Sequence, residues 1–279
     1  MSNRIDQTFV RLRSAGQKAF VAYVAAGDPG FEASLGIIHA LADAGADVIE
    51  LGMPFSDPLA DGIVNQMAAD RALKAGMTTA RTLELVRRFR ETNTTTPVVL
   101  FTYLNPVFTY GFERFHHEAA AAGADGVLLL DLPPDECDHD AAAFTGDGGL
   151  KIIRLIAPTT PPGRLQRLAS LAEGFIYALS RTGVTGAHGA PSADVPEFVA
   201  AIQAHASVPV CVGFGISTAA QAAAIARAAD GVVVGSAIVK VVERNASADP
   251  VAAVREFVIP LIEAVHGVVG DAPPASQTD

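Results

Sequence analysis

The sequence predicts an α/β protein built as a single (β/α)8 TIM barrel with an extra N-terminal helix, and three observations carry that expectation. The chain has 279 residues, close to the ~250 typical of such a barrel. Short apolar runs bounded by Gly, Pro or Asp alternate with longer alanine-rich helical stretches, the pattern of repeated βα units feeding a parallel sheet. Hydrophobic residues make up 50% of the chain and charged residues only 18%, the balance expected when strands are covered on both faces by helices.

Taken in order, the chain opens with a helix from about Ile5 to Ser14, placed to cover the barrel floor. Eight apolar runs follow, near Ala19 to Ala25, Asp47 to Met53, Val98 to Tyr103, Gly126 to Asp131, Lys151 to Ile156, Phe175 to Ser180, Val208 to Phe214 and Gly231 to Gly235. A local repeat marks several entries into these runs: Ala44-Gly45-Ala46-Asp47, Ala122-Gly123-Ala124-Asp125 and Ala228-Ala229-Asp230. Each reads as a helix ending on a small residue and passing at once into a buried strand. Asp47, Asp125 and Asp230 therefore sit at strand N-terminal ends, the face of a barrel that carries stability rather than chemistry. No interior linker divides the chain, so residues 1–269 are expected to form one catalytic barrel domain. Residues 270–279, rich in Pro, Ala and polar types, are expected to be a disordered tail. An open doubly wound sheet is the competing fold. It needs a nucleotide-binding glycine fingerprint after the first strand, and Gly27-Asp28-Pro29-Gly30 lacks that spacing.

The formal net charge is -10, and the 20 basic residues are scattered rather than massed, so no footprint for a nucleic-acid backbone is present. No run of about 18 apolar residues occurs, and Arg4 and Asp6 precede any apolar stretch. Neither a membrane span nor a signal peptide is expected, and the protein reads as cytoplasmic. Cys137 and Cys211 stand isolated and the seven histidines show no ligand spacing, which argues against a disulfide framework or a metal site.

In a barrel the working residues come from the C-terminal strand ends and the loops after them. The second run, Asp47-Val48-Ile49-Glu50-Leu51-Gly52-Met53-Pro54, places Val48, Glu50 and Gly52 on one face. A carboxyl inside an apolar strand is costly to bury ionised, so its pKa is expected to rise into the range of a general acid/base. No basic residue in that strand or the next loop offers Glu50 a salt bridge. The loop Phe55-Ser56-Asp57-Pro58-Leu59-Ala60-Asp61-Gly62 returns two more carboxylates over the mouth, and either could face Glu50. Equally, Asp57 could be a turn residue before Pro58 and Asp61 a turn residue or a helix cap.

Glycines in three late loops suit phosphate capture, which needs backbone N–H groups close to oxygen. They are Arg181-Thr182-Gly183-Val184-Thr185-Gly186, Gly213-Phe214-Gly215-Ile216-Ser217 and Gly235-Ser236-Ala237. The last two follow the seventh and eighth runs, where barrels often build a phosphate site. Lys18, Lys74, Lys151 and Lys240 lie before strands or within helices, which disfavours a Schiff-base aldolase. Proton transfer on a phosphate-anchored substrate remains.

These residues resemble a known family. Glu50 through Gly62 is similar to the signature of the tryptophan synthase alpha subunit. The resemblance continues through Gly27-Asp28-Pro29, Tyr103-Leu104-Asn105-Pro106, Asp131-Leu132-Pro133-Pro134, Ser180 to Gly186, Gly213 to Ile216 and Gly235 to Lys240. It spans nearly the whole chain, from Phe20 to about Val268.

The resemblance implies retro-aldol cleavage of indole-3-glycerol phosphate to indole and glyceraldehyde 3-phosphate, a carbon–carbon lyase reaction of tryptophan biosynthesis, with no cofactor in this subunit. Glu50 then matches the general acid/base and Asp61 the carboxylate that stabilises charge at the indole N–H. Tyr23, Tyr103, Tyr177 and Thr185 match residues around the substrate; Gly186, Gly215, Gly235 and Ser236 match the phosphate cradle. A pyridoxal phosphate beta subunit is the implied partner in an alpha2 beta2 heterotetramer, meeting loops around Asp57, Pro58, Asn105 and Pro133. The chain departs from the family where a proline usually follows the Asp61–Gly62 pair: it has Ile63, and Val64-Asn65 are also unusual before the matching Gln66. The backbone there is freer than a proline would leave it, which bears on how Asp61 is pre-positioned. Ala22 and Ala25 likewise replace the commoner proline and threonine around the first strand. A non-catalytic regulatory partner of a beta subunit, or another phosphate-binding barrel isomerase or lyase, are the competing functions.

Overall fold

The computed structural model describes residues 3–132, 149–180, 195–213 and 215–268. Strands β1 (Ala19–Ala25), β2 (Val48–Gly52), β3 (Val98–Thr102), β4 (Gly126–Leu129), β5 (Lys151–Ile152), β6 (Arg154–Ile156), β7 (Ile176–Leu179), β8 (Val210–Gly213) and β9 (Gly231–Val234) form one parallel sheet, with neighbours in the order β5-β4-β3-β2-β1-β9-β8-β7-β6. The sheet's two edges, β5 and β6, are joined through the single residue Ile153, so the sheet curls into a cylinder. The run Lys151 to Ile156, expected as one strand, is two, because its first half pairs with β4 and its second half with β7. That handover of partners closes the barrel.

Period-two alternation sorts the side chains into two cores. Outward residues such as Phe20, Ala22, Val24, Ile49 and Leu51 join the large cluster beneath the surrounding helices. Inward residues Ala19, Val21, Val48, Val99, Leu128, Ile153, Phe175, Cys211 and Val233 fill the lower barrel. Ile5, Phe9 and Leu12 of helix α1 (Arg4–Ser14) belong to that inner cluster, so this helix plugs the floor. Because both strand faces are covered, β1, β2, β8 and β9 are buried along their whole length.

The three strand-entry aspartates do one job. The Asp47 carboxylate accepts the N–H of Phe20 at 2.9 Å, that of Asp125 the N–H of Val98 at 2.8 Å, and that of Asp230 the N–H of Val210 at 2.9 Å. Each satisfies a donor in the first two residues of a neighbouring strand, where the ladder offers it no partner. Asp47 also meets Arg11 and His266 at 2.8 Å, and Asp125 meets Arg4 at 2.8 Å and Arg90 at 2.7 Å. Arg4 and Arg11 lie on α1, so the floor helix is tied ionically to the lower rim. These carboxylates are structural, as the sequence predicts.

Helices α2 (Phe31–Asp43), α3 (Ile63–Lys74) and α4 (Thr79–Arg90) flank the first strands; α5 (Leu104–Tyr110) and α6 (Phe112–Ala122) follow β3. The outer layer continues with α7 (Pro162–Ser170), α8 (Val195–Gln203), α9 (Ala219–Ala226), α10 (Ser236–Arg244) and α11 (Pro250–His266). The expected tail, residues 270–279, lies outside the described residues.

Candidate active site

Above the inner cluster the barrel is not filled. A cavity of about 180 Å³ opens there, lined by Tyr23, Glu50 and Phe101 from the first three strands, by Ala60, Asp61 and Asn65 from the loop and helix after β2, by Leu130, Leu155, Tyr177 and Leu179, and by Gly215, Gly235 and Ser236.

Glu50 lies in β2 beside Tyr23 of β1 and Val99 of β3. It is 0% exposed, and neither carboxyl oxygen has a hydrogen-bond partner among the described residues. With no compensating donor, desolvation alone acts on the acid and raises its pKa from 4.5 to about 8. The free carboxyl is therefore neutral at pH 7 and carries a transferable proton.

Asp61 reaches the same cavity from the loop and is better supplied with donors. The Tyr103 hydroxyl donates to its Oδ2 at 2.8 Å, and the Asn65 amide to its Oδ1 at 3.4 Å. Burial raises its pKa, while the hydrogen bonds from Tyr103 and Asn65 oppose that rise. The two carboxyls thus occupy contrasting environments, one without donors and one with two, the arrangement that separates acid from anion.

The backbone under Asp61 is pinned as well. Its N–H donates to Pro58 O at 3.0 Å, Gln66 Nε2 donates to its carbonyl at 2.7 Å, and the Ala60 N–H donates to the Tyr103 hydroxyl at 3.0 Å. Ile63 opens helix α3 directly after Gly62, and side chains from α3 and from Tyr103, the N-cap of α5, bond to the loop. Asp61 caps nothing, because Gly62 is the N-cap and no side chain bonds there.

Tyr23 and Tyr177 stand inside the barrel because facing glycines leave room. A Cβ on Gly52 would overlap the Tyr23 hydroxyl, and one on Gly213 the Tyr177 hydroxyl. Burial first, then the nearby Glu50 and Asp61, push both phenols well above their ordinary range, so they stay protonated donors. Tyr23 meets Phe101 edge to face at 5.1 Å between centroids. Tyr103 is not among the lining residues; its ring packs on Phe55 at 5.4 Å while its hydroxyl serves Asp61.

Gly215 (φ 77°) brings its backbone to the cavity wall, and Gly235, which packs against Tyr23, is the N-cap of α10, with Ser236 its first residue. The first N–H groups of a helix lack intrahelical partners and favour anions. Among the described residues no group of three or more His, Cys, Asp or Glu could hold a metal ion. Of the remaining expected residues, Asp57 is exposed and accepts from the Ser56 hydroxyl at 2.6 Å; Asn105 is exposed and accepts from Thr109 at 3.1 Å. Pro58 is half-buried in the same loop as Asp57. Thr185, Gly186 and Pro133 lie outside the described residues.

Sequence reasoning missed Phe101, Leu130, Leu155 and Leu179, although each lies two residues beyond an inward position, so strand alternation was the available cue. It also missed Asn65, four residues after Asp61 at the start of α3. The exposure of four apolar side chains had no sequence signal: Leu59, Ile63, Met67 and Phe108, all in or just after the loops that follow β2 and β3.

A barrel whose mouth holds a neutral, buried carboxyl, a second carboxylate and a glycine-lined helix start around one cavity defines a class: (β/α)8 enzymes that work at the C-terminal strand ends. Comparison with known proteins narrows this. A family model described as the tryptophan synthase alpha chain matches residues 9–264, and the chain belongs to that family. Its structure is similar to that of tryptophan synthase subunit alpha from Legionella pneumophila str. Paris, at 38% identity and a TM-score of 0.86 over 96% of this chain and 100% of that one. It is likewise similar to a chain of Mycobacterium tuberculosis tryptophan synthase, at 36% identity and a TM-score of 0.87 over 95% of this chain and 99% of that one. The protein is a carbon–carbon lyase of tryptophan biosynthesis, cleaving indole-3-glycerol phosphate to indole and glyceraldehyde 3-phosphate.

Proposed function

We propose that Glu50 and Asp61 divide the work of this cleavage, and the observation that carries the reading is the contrast between them: one carboxyl buried with no donor, the other held by two. Glu50, neutral in the free site, gives its proton to the indole ring carbon that bears the glycerol chain. Positive charge then develops at the indole nitrogen, and Asp61 stabilises it through the N–H. The Glu50 carboxylate next takes the proton of the chain hydroxyl on the carbon being released. The carbon–carbon bond breaks, its electrons return to the ring, and the released fragment leaves as an aldehyde. Glu50 ends protonated, so the proton inventory closes and no cofactor is consumed. Positioned proton transfer of this kind contributes about 10² to 10⁴ in rate.

Gly215, Gly235 and Ser236, with Gly186, form the phosphate cradle of this reading, and the unpartnered N–H groups at the start of α10 are its anion donors. Tyr23 and Tyr177 line the indole side, and Thr185 closes over the substrate. The beta subunit, which carries pyridoxal phosphate, binds the mouth of the barrel in an alpha2 beta2 assembly. Exposed Leu59, Ile63 and Phe108 beside Asp57, Pro58 and Asn105 supply the apolar area such a contact needs. Residues 1–269 act as one catalytic domain, and the protein works in the cytoplasm. No helix among the described residues is long and apolar enough to cross a membrane.

The test is direct. Purified protein is given indole-3-glycerol phosphate with and without a beta subunit, and indole is measured. Weak turnover alone and a large increase with the partner are expected. Glu50→Gln abolishes both; near-normal activity in that variant refutes the assignment.

A further inference from the structure

We propose that Asn65 is a positioning residue of this site, holding the Asp61 carboxylate through its amide nitrogen and offering its buried oxygen to an O–H or N–H donor of the bound substrate. The proposal rests on the reading that Asp61 acts in the reaction. Asn65 is the third residue of α3, four after Asp61, so its side chain turns back towards the helix N-terminus and the loop. It is only 8% exposed and lines the cavity together with Glu50 and Asp61. Its Nδ2 lies 3.4 Å from Asp61 Oδ1, completing with Tyr103 a donor for each carboxylate oxygen.

The other half of the amide is what points to a ligand. Asn65 Oδ1 is buried and has no hydrogen-bond partner among the described residues. An unpartnered buried acceptor costs free energy that a hydrocarbon side chain of the same volume avoids. Reversing the amide does not relieve this, since it sets oxygen against the ionised Asp61 carboxylate. The acceptor is therefore stranded only while the cavity lacks a donor, and a polar hydrogen of the substrate satisfies it. The long 3.4 Å contact to Asp61 fits a site that tightens when occupied. The titratable groups facing Asp61 are Tyr103, at the N-cap of α5, Glu50 on β2, Tyr23 on β1 and Tyr177 on β7.

The test is a double-mutant cycle in the full chain with its beta partner, following indole release from indole-3-glycerol phosphate. Asn65→Leu lowers kcat/KM roughly tenfold, and KM rises because the substrate donor loses its acceptor. The acid limb of the pH profile moves to higher pH, because Asp61 has lost a hydrogen bond to its ionised form. In an Asp61→Asn background the same substitution changes kcat by less than about twofold. Circular dichroism should show Asn65→Leu folded; if the larger side chain prevents folding, Asn65→Ala carries the same kinetic predictions. An unchanged KM and acid limb, with kcat effects that simply multiply, overturns the role of Asn65. Full activity of Asp61→Asn alone overturns instead the reading on which the proposal rests.

Discussion

Glu50→Gln tests the burial of the carboxyl without any substrate. The unfolded Glu50 carboxyl titrates near its ordinary 4.5, whereas burial holds the folded one near about 8. Between those values the unfolded chain releases a proton that the folded chain keeps, so wild-type stability falls as pH rises through the window. At pH 7 the loss is 2.303RT multiplied by the distance from 4.5 to 7, about 3 kcal/mol; above pH 8 both forms are ionised and it levels off near about 5 kcal/mol. Glutamine has nearly the same shape and no proton to lose. Its Tm relative to wild type should therefore climb with pH, at roughly 2 °C per kcal/mol for a chain of this size. The assay is thermal denaturation of both proteins at half-unit steps from pH 4 to pH 9. The expected difference between them grows by roughly 6 °C from pH 4 to pH 7. A difference that stays constant across that range refutes the claim that this carboxyl is desolvated and unpaired.

Three further perturbations probe the frame around it. Tyr103→Phe removes the 2.8 Å donor to Asp61 and the acceptor for the Ala60 N–H; indole release should fall roughly tenfold while the fold persists, as steady-state kinetics and circular dichroism will show. Gly213→Ala places a Cβ against the Tyr177 hydroxyl and must displace the ring; KM for indole-3-glycerol phosphate should rise and stability should drop by about 1–3 kcal/mol. Asp125→Asn removes the one carboxylate that faces Arg90 among the described residues; Arg90 is 9% exposed, burial already lowers its guanidinium to a pKa of about 10, and it is left only the carbonyls of Asn93, Thr96 and Gly123. Denaturant titration should show a loss of about 3–5 kcal/mol, with kcat per folded molecule unchanged.

Much of this architecture was legible in the sequence because two simple constraints shape it. Strands buried on both faces leave apolar runs, and helix-to-strand junctions leave small residues followed by Asp; together these gave all eight strand regions and the structural reading of Asp47, Asp125 and Asp230. The division of the fifth run into two strands was invisible, since it depends on which neighbour each half meets. Glu50 stood out because a lone acid in an apolar strand has few explanations. Asp61 did not, because a loop carboxylate has several local partners and only the meeting with Tyr103, 42 positions away, decides among them. The glycine–tyrosine fits at Gly52 and Gly213 share that origin: they are contacts between strands, and alternation narrows the candidates without choosing one.

Glu50 holds a proton at neutral pH in the free enzyme. Infrared difference spectroscopy, taken as wild type minus Glu50→Gln and titrated from pH 4 to pH 10, reads that proton directly through the carboxylic acid C=O stretch. A protonated-acid band should be present at pH 7 and disappear with a midpoint of about 8. A band already lost by pH 6, with a midpoint near the ordinary value for glutamate, contradicts it.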